Sequence, residues 1–315
     1  MPMRIGPYLV LDFLGQGGMG AVYLTRSRGG RPLAVKVIRA DLAANRDFRR
    51  RFAREVTAAR KVSGAYTAPV VDADTECAEP WLATIFVPGR SLWEAVRTEG
   101  VLDGDGIREL GAGLAEALID IHAAGIIHRD LKPHNVLMGA DGPRVIDFGI
   151  AHVADLPPLT DPGALLGTPQ FMSPEQIQGN RLAFASDVFS FGLVLAYAAI
   201  GGSPFGPGSN AQLLLRILHG EPDLTALPGD LRRLVAACLA RRPEQRPSPG
   251  ELLDTLAVVT TPAARTARPA PLPRVPTVWV PEAGPAGADF ARNAHAVLDD
   301  GLTDALVIEA TRHDG

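Results

Sequence analysis

The sequence predicts an α+β protein: a small antiparallel-sheet lobe holding one helix, then a larger helical lobe. Three observations carry the prediction. Residues 8–14, 21–26 and 33–38 are rich in Val, Leu, Ile, Tyr and Phe, and glycine-rich or polar turns separate them, as in a strand meander. From about residue 91 apolar residues recur at spacings of three and four, the helical period. After Val259 seven prolines, from Pro262 to Pro285, break any helix and favour an extended linker.

Taken in order, the three strands are followed by a helix over 45–61, with Asn45 as its cap and charges on most faces. Residues 69–74 and 81–87 read as two more strands. Pro88-Gly89 marks a turn, so the small lobe covers about 8–87 and the large one about 91–259. In residues 106–124, Ile107, Leu110, Leu114, Leu118 and Ile121 define one helical face. Further helices are expected over 186–200, 210–219, 229–240 and 249–257. The proline-rich linker covers 260–288. In 289–315, Phe290, Ala294, Val297 and Leu298 fit one face of a short helix. That tail is either a partner-docking element or the end of a linker, and the sequence does not choose.

Hydrophobic residues make up 46% of the 315 and charged residues 21%, the balance of a globular chain. The formal net charge is −4, so no global basic excess calls for nucleic acid or an anionic membrane. Leu193–Ile200 is the longest apolar run and is too short to span a bilayer. The first residues lack the apolar core of a signal peptide. Cys77 and Cys238 stand far apart in no metal-ligand spacing and are expected as reduced thiols in a cytoplasmic protein.

The chemistry is concentrated in residues 126–149. Asp130 stands five residues before Asn135, and Asp147 follows the apolar pair Val145-Ile146. A loop and a hairpin between them bring a carboxylate, an amide and a second carboxylate toward one point. Such a set suits a base for a hydroxyl and two oxygen ligands for magnesium. Upstream, Gly15-Gln16-Gly17-Gly18-Met19-Gly20-Ala21-Val22 is a G-x-G-x-x-G-x-V loop whose backbone can approach phosphates. Alone this loop is also compatible with a dinucleotide fold or a plain hairpin turn. A strand-like run follows it here, where dinucleotide folds place a helix. Lys36, between apolar neighbours on the face that Ala34 and Ile38 share, needs an anionic partner.

Together these motifs resemble those of protein kinases. His128-Arg129-Asp130-Leu131-Lys132-Pro133-His134-Asn135 matches the catalytic loop, Asp147-Phe148-Gly149 the D-F-G motif, and Leu33-Ala34-Val35-Lys36 the V-A-I-K strand. Gly167–Glu175 resembles the end of an activation segment, with Ser173 in place of the usual alanine. The resemblance covers about 8–259, and the set looks like bacterial, actinobacterial-type serine/threonine protein kinases.

It implies a two-lobed kinase fold binding ATP and Mg²⁺, with Mn²⁺ as the alternative ion. Asp130 would accept the hydroxyl proton, Lys132 neutralise the γ-phosphate, and Asn135 and Asp147 hold the metal. Gly15, Gly17, Gly18 and Gly20 would cradle phosphates, with Lys36 on the α/β-phosphates. Lys36 is expected to pair with Glu55 in the active state, although an Arg51–Glu55 pair is also available on the helix. Val22, Ala34 and Leu137 would sandwich adenine at a hinge of Thr84, Ile85, Phe86 and Val87. Ile85 departs from the glutamate often found there. Glu175 would pair with Arg246, and Asp187 would brace the catalytic loop. Lys132 and Thr168 support Ser/Thr over Tyr acceptors.

Arg129, beside the base, is expected to receive a phosphate from the segment between Asp147 and Glu175. Thr160 is the exposed candidate, because Thr168 and Ser173 match structural positions. Pro162 occupies the place of the second threonine that related bacterial kinases often carry. The remaining histidines are expected to be structural or solvated. Implied partners are Ser/Thr-bearing proteins, including other copies of the chain by trans-autophosphorylation. The alternative function is a pseudokinase scaffold, whose usual mark is loss of the lysine, the base or a metal ligand. None of these is lost here.

Overall fold

The structure, a computed structural model, describes residues 3–147 and 169–257, all within one unit that spans Met1–Thr261. The expectations for 260–288 and 289–315 lie outside the described residues.

The small lobe is a six-stranded antiparallel sheet: β1 (Arg4–Ile5), β2 (Tyr8–Gly17), β3 (Gly20–Arg26), β4 (Pro32–Ile38), β5 (Val70–Asp74) and β6 (Trp81–Ile85), in the order β1-β2-β3-β4-β6-β5. Strand alternation gives β4 two faces. Leu33 and Val35 join Ile5, Tyr8, Trp81 and Ala83 in a cluster of their own. Ile38 and Leu82 join the main core with Phe48, Phe52 and Val56 of the helix α2 (Arg46–Ala59). Asn45 caps α2 by accepting from the amides of Asp47 and Phe48, satisfying two of the donors a helix start leaves open. A four-residue helix, α1 (Ala40–Ala43), precedes it.

The large lobe opens with β7 (Arg90–Ser91) and α3 (Leu92–Glu99), then the long α4 (Gly104–Ala123). The hairpin of β8 (Val136–Gly139) and β9 (Gly142–Val145) pairs with β7 in a three-stranded sheet. This hairpin sits close on α4: a Cβ on Gly113 would stand 2.6 Å from Pro143 Cγ, so only glycine permits the approach. Next come α5 (Pro174–Ile177), α6 (Phe184–Ile200), α7 (Asn210–His219), α8 (Gly229–Cys238) and α9 (Pro249–Ala257). The middle of α6 is buried all round, from Ser186 to Ala198, which is why its apolar run shows no amphipathic stripe. Among the described residues no helix is long and apolar enough to cross a membrane.

Candidate active site

The catalytic-loop candidates hang between the start of α6 and the β8–β9 hairpin. Asp187, 1% exposed on α6, accepts from the amide of His128 at 2.8 Å and from that of Arg129 at 2.9 Å. His122 Nε2 lies 2.8 Å from the same carboxylate and can bond it only as an N–H donor. The Arg129 carbonyl accepts from Gln176 Nε2 at 2.7 Å. Both peptide groups of Arg129 are thus fixed, and the residue stands at φ 66°. Asp147 stands at φ 57°. They are the only non-glycine residues at positive φ among those described, and such local strain concentrates at functional sites.

Downstream, the Asp130 carboxylate accepts from Lys132 Nζ at 2.8 Å and from Asn135 Nδ2 at 3.1 Å. Asn135 Nδ2 also donates to the Asp130 carbonyl at 2.8 Å, leaving Asn135 Oδ1 with no bond to another described residue. The Ile146 amide donates to the Asn135 carbonyl at 3.0 Å, which ties the segment before Asp147 to the catalytic loop. Asp130, Lys132, Asn135 and Asp147 are thereby brought into one neighbourhood.

Across the cleft, Lys36 Nζ lies 3.0 Å from Asp147 Oδ2. Burial pushes the Asp147 carboxyl up, but the charge and hydrogen bond of Lys36 outweigh this and hold it below the ordinary aspartate value. Glu55 does not pair with Lys36. Its carboxylate accepts from Arg129 Nη1 at 2.8 Å. The expected Lys36–Glu55 pair is therefore replaced by two others, and Arg129, read from sequence as awaiting a phosphate, already holds a carboxylate.

The glycine loop is the β2–β3 turn, with Gly17 opposite Gly20. A Cβ on Gly20 would collide with the Val37 carbonyl, so packing demands that glycine. A Cβ on Gly15 or Gly17 would meet nothing within 4 Å. The space beside those two glycines is open. Val22 pairs with Lys36 and Ala34 with Thr84 across the sheet, so both stand in register with the lysine and the hinge. Val22, Ala34, Thr84, Phe86, Val87 and Leu137 are all half-buried, as residues lining an open cleft are. The backbone groups of Phe86 and Val87 bond no other described residue and are available to a ligand.

Glu175 and Arg246 meet in a bidentate pair, at 2.6 and 2.9 Å. Arg246 also donates to the carbonyls of Ala185, Ala240 and Arg241 and lies over the Phe189 ring. Burial raises the Glu175 carboxyl, but bonds from Arg246 and Ser186 hold it below the ordinary glutamate value. His128 is fully buried, and burial pushes its imidazole pKa down. Phe148, Gly149, Thr160 and Thr168 lie outside the described residues.

Three supporting residues escaped the motif reading. Gln176 had no signal beyond its place next to Glu175. His122 lies in the last turn of α4, where the periodicity gave it no role. Trp93 stacks on His134 at 4.6 Å and on Tyr197 at 5.1 Å, tying α3 and α6 to the catalytic loop. A lone tryptophan after a turn does not announce that.

Comparison with known proteins agrees with this geometry. The family described as "Protein kinase domain" matches residues 8–256. The chain is 52% identical over 255 residues to the probable serine/threonine-protein kinase PkwA of Thermomonospora curvata, covering 81% of this chain and 34% of that one. It is 51% identical over 257 residues to the serine/threonine-protein kinase AfsK of Streptomyces coelicolor, covering 81% and 32%. The chain thus spans about a third of the length of these curated relatives. Among solved structures, the Mycobacterium tuberculosis PknI kinase domain is similar with a TM-score of 0.61 at 25% identity, covering 81% of this chain and 97% of that one.

Proposed function

The chain belongs to the protein kinase family, and on that premise we propose that it transfers the γ-phosphate of ATP to Ser or Thr hydroxyls of proteins. The observation that carries this is the convergence of Asp130, Lys132, Asn135, Asp147 and Lys36. Asp130 orients the acceptor hydroxyl and takes its proton as the oxygen attacks the γ-phosphorus and the bond to the β-phosphate breaks. Lys132, 2.8 Å from that carboxylate, would supply the cation that charge on the transferred group needs. Lys36 leaves Asp147 for the α/β-phosphates. The glycine loop, with Gly15, Gly17, Gly18 and Gly20, lies over the phosphates, and the hinge backbone holds the adenine. Positioning and electrostatics carry the rate, since little covalent chemistry falls to the protein.

A divalent ion fits the donor set. The Asp147 carboxylate and Asn135 Oδ1 are the hard oxygen donors that would hold Mg²⁺, or Mn²⁺, and the ion when bound neutralises phosphate charge. With the lysine, the base and both metal ligands present, nothing favours the pseudokinase scaffold. The cytoplasm, which supplies ATP and keeps Cys77 and Cys238 reduced, is the compartment this reading requires.

The purified chain with Mg²⁺ and labelled ATP should phosphorylate a Ser/Thr peptide, and Asp147→Asn should abolish this. Asp130→Asn should lower the rate by about 10²–10⁴, the range for a positioned proton acceptor. Unchanged phosphorylation by the Asp147→Asn protein would sink the assignment.

The switch we propose starts from the Arg129–Glu55 pair. A phosphate on Thr160 brings roughly −1.5 to −2 charges. It competes with Glu55 for Arg129, and Glu55 once released can take Lys36. Trans-autophosphorylation by a second copy supplies that phosphate. Mass spectrometry after incubation with ATP should find it on Thr160, and Thr160→Ala should lower the activity. Full activity of Thr160→Ala would exclude the switch.

A further inference from the structure

Helix α2 and the residues just after it carry an unusual load of arginine: Arg46, Arg49, Arg50, Arg51, Arg54 and Arg60. Several have work inside the fold. Arg49 donates to the carbonyls of Ala43, Thr75, Glu76, Cys77 and Ala78 and so clamps the β5–β6 turn. Arg60 lies 3.6 Å from an Asp72 carboxylate oxygen. Arg51 is engaged as well. Arg46, Arg50 and Arg54 are different: all three are exposed, and none bonds or pairs with another residue among those described.

Their spacing of four places them on one helical face, as a ridge of guanidinium groups one turn apart. The arrangement works against the fold. Like charges four residues apart repel, and Arg46 stands at the positive end of the helix dipole. The chain as a whole is acidic, with a formal charge of −4, so the ridge does not follow from a generally basic composition. A destabilising feature with no partner inside the described fold points to a partner outside it.

We propose that Arg46, Arg50 and Arg54 form a docking ridge for an acidic segment of a protein substrate, bound outside the cleft. Planar guanidinium forks match carboxylates in pairs. None of the exposed large apolar side chains lies on α2, so the ridge lacks the anchor a membrane-surface helix carries. The helix is also close to the chemistry, since its Glu55 touches Arg129 beside the base. About ten extended residues reach at most about 35 Å, which sets the linker length of the probe below.

This inference rests on the kinase reading but is tested separately from it. The probe is a Thr-containing acceptor peptide joined through about ten Gly/Ser residues to a tract of six to eight glutamates, with the untagged peptide as reference. In the unaltered chain the tract should lower KM about tenfold, the yield of a few exposed ion pairs, with kcat unchanged. Added salt should erase the gain. In R46Q/R50Q/R54Q the gain should vanish while the untagged peptide is phosphorylated as before. The thermal midpoint of that variant should stay level or rise, because repulsion is relieved. No gain from the tract, or an equal gain in the variant, overturns the proposal. So does binding to phosphatidylserine/phosphatidylcholine vesicles that the variant loses while the tract has no effect. Fluorescence anisotropy of the labelled tract separates the two readings: ridge-dependent binding without any phosphorylation keeps the ridge as an acidic-peptide surface and refutes the kinase reading.

Discussion

At the scale of single residues, burying a charge calls for partners at its hydrogen-bonding positions. Arg246 is the clearest case. Its donors reach both Glu175 oxygens and three carbonyls, and its flat face lies 4.9 Å from the centroid of Phe189. Removing one partner would strand the other charge in the interior, which costs about 3–5 kcal/mol. Arg246→Met should therefore lower the urea midpoint strongly, and Glu175→Gln nearly as much. The pair also sets a pH dependence. Glu175 has its carboxyl held below the ordinary value by Arg246 and Ser186 despite its burial. A lowered pKa contributes stability that is complete above the unfolded glutamate value, about 4.3, and is lost as pH falls through the folded one. Acid unfolding curves of the native chain and of Glu175→Gln should converge below that point and separate above it. Curves that stay parallel down to strong acid would remove Glu175 from the account. The Glu175–Arg246 partnership was legible because each residue sits in a fixed motif. The Glu55–Arg129 pair was not, because no motif spacing links α2 to the residue before the base; only the folded chain brings the two together.

At the scale of elements, the active site depends on short pieces more than on long ones. Helix α3 has eight residues, yet its Trp93 lies against both His134 of the catalytic loop and Tyr197 of α6. Two stacked contacts at about 0.5–1.5 kcal/mol each make Trp93→Leu cost about 1–3 kcal/mol beyond its change in burial. Trp93→Phe should recover part of that, and the turnover number of the leucine variant should fall more than its KM for ATP rises. Equal urea midpoints for Leu and Phe variants would mean the stack carries no weight. The long elements were readable from sequence. Helix α4 showed its face through Ile107, Leu110, Leu114, Leu118 and Ile121, all buried. Helix α2 was marked by Asn45, whose cap is formed. Helix α3 was missed although Ser91 and Glu94 make a capping box, a signal that stands in the sequence at the right spacing. The two-residue β1 and four-residue α1 are too short for any period to show. The strand expected over 81–87 stops at Ile85. The backbone beyond it has no sheet partner, a tertiary fact that apolar composition does not carry.

At the scale of the whole molecule, the described residues form one closed unit in which the last helix completes the core. Leu252 and Leu256 of α9 are buried, and Leu256 lies against Gly111 of α4, where an added Cβ would come within 3.0 Å. Burying two leucines contributes about 1.5–3 kcal/mol each, so α9 is as much part of the large lobe as the helices before it. Every residue given a role in phosphoryl transfer lies between Gly15 and Asp147, and the buried Glu175–Arg246 pair ends at Arg246. The unit itself ends at Thr261. None of the residues given a role in phosphoryl transfer belongs to the second unit, the 54 residues Pro262–Gly315. Those residues begin with a proline-rich stretch, a composition that favours an extended linker. A chain ending at Thr260 should therefore fold with the same thermal midpoint and phosphorylate a short Ser/Thr peptide at the rate of the full chain. A chain ending at Arg246, which lacks α9, should lose its cooperative transition. A Thr260-ended protein that melts normally yet transfers no phosphate would show that the tail belongs to the catalytic unit after all.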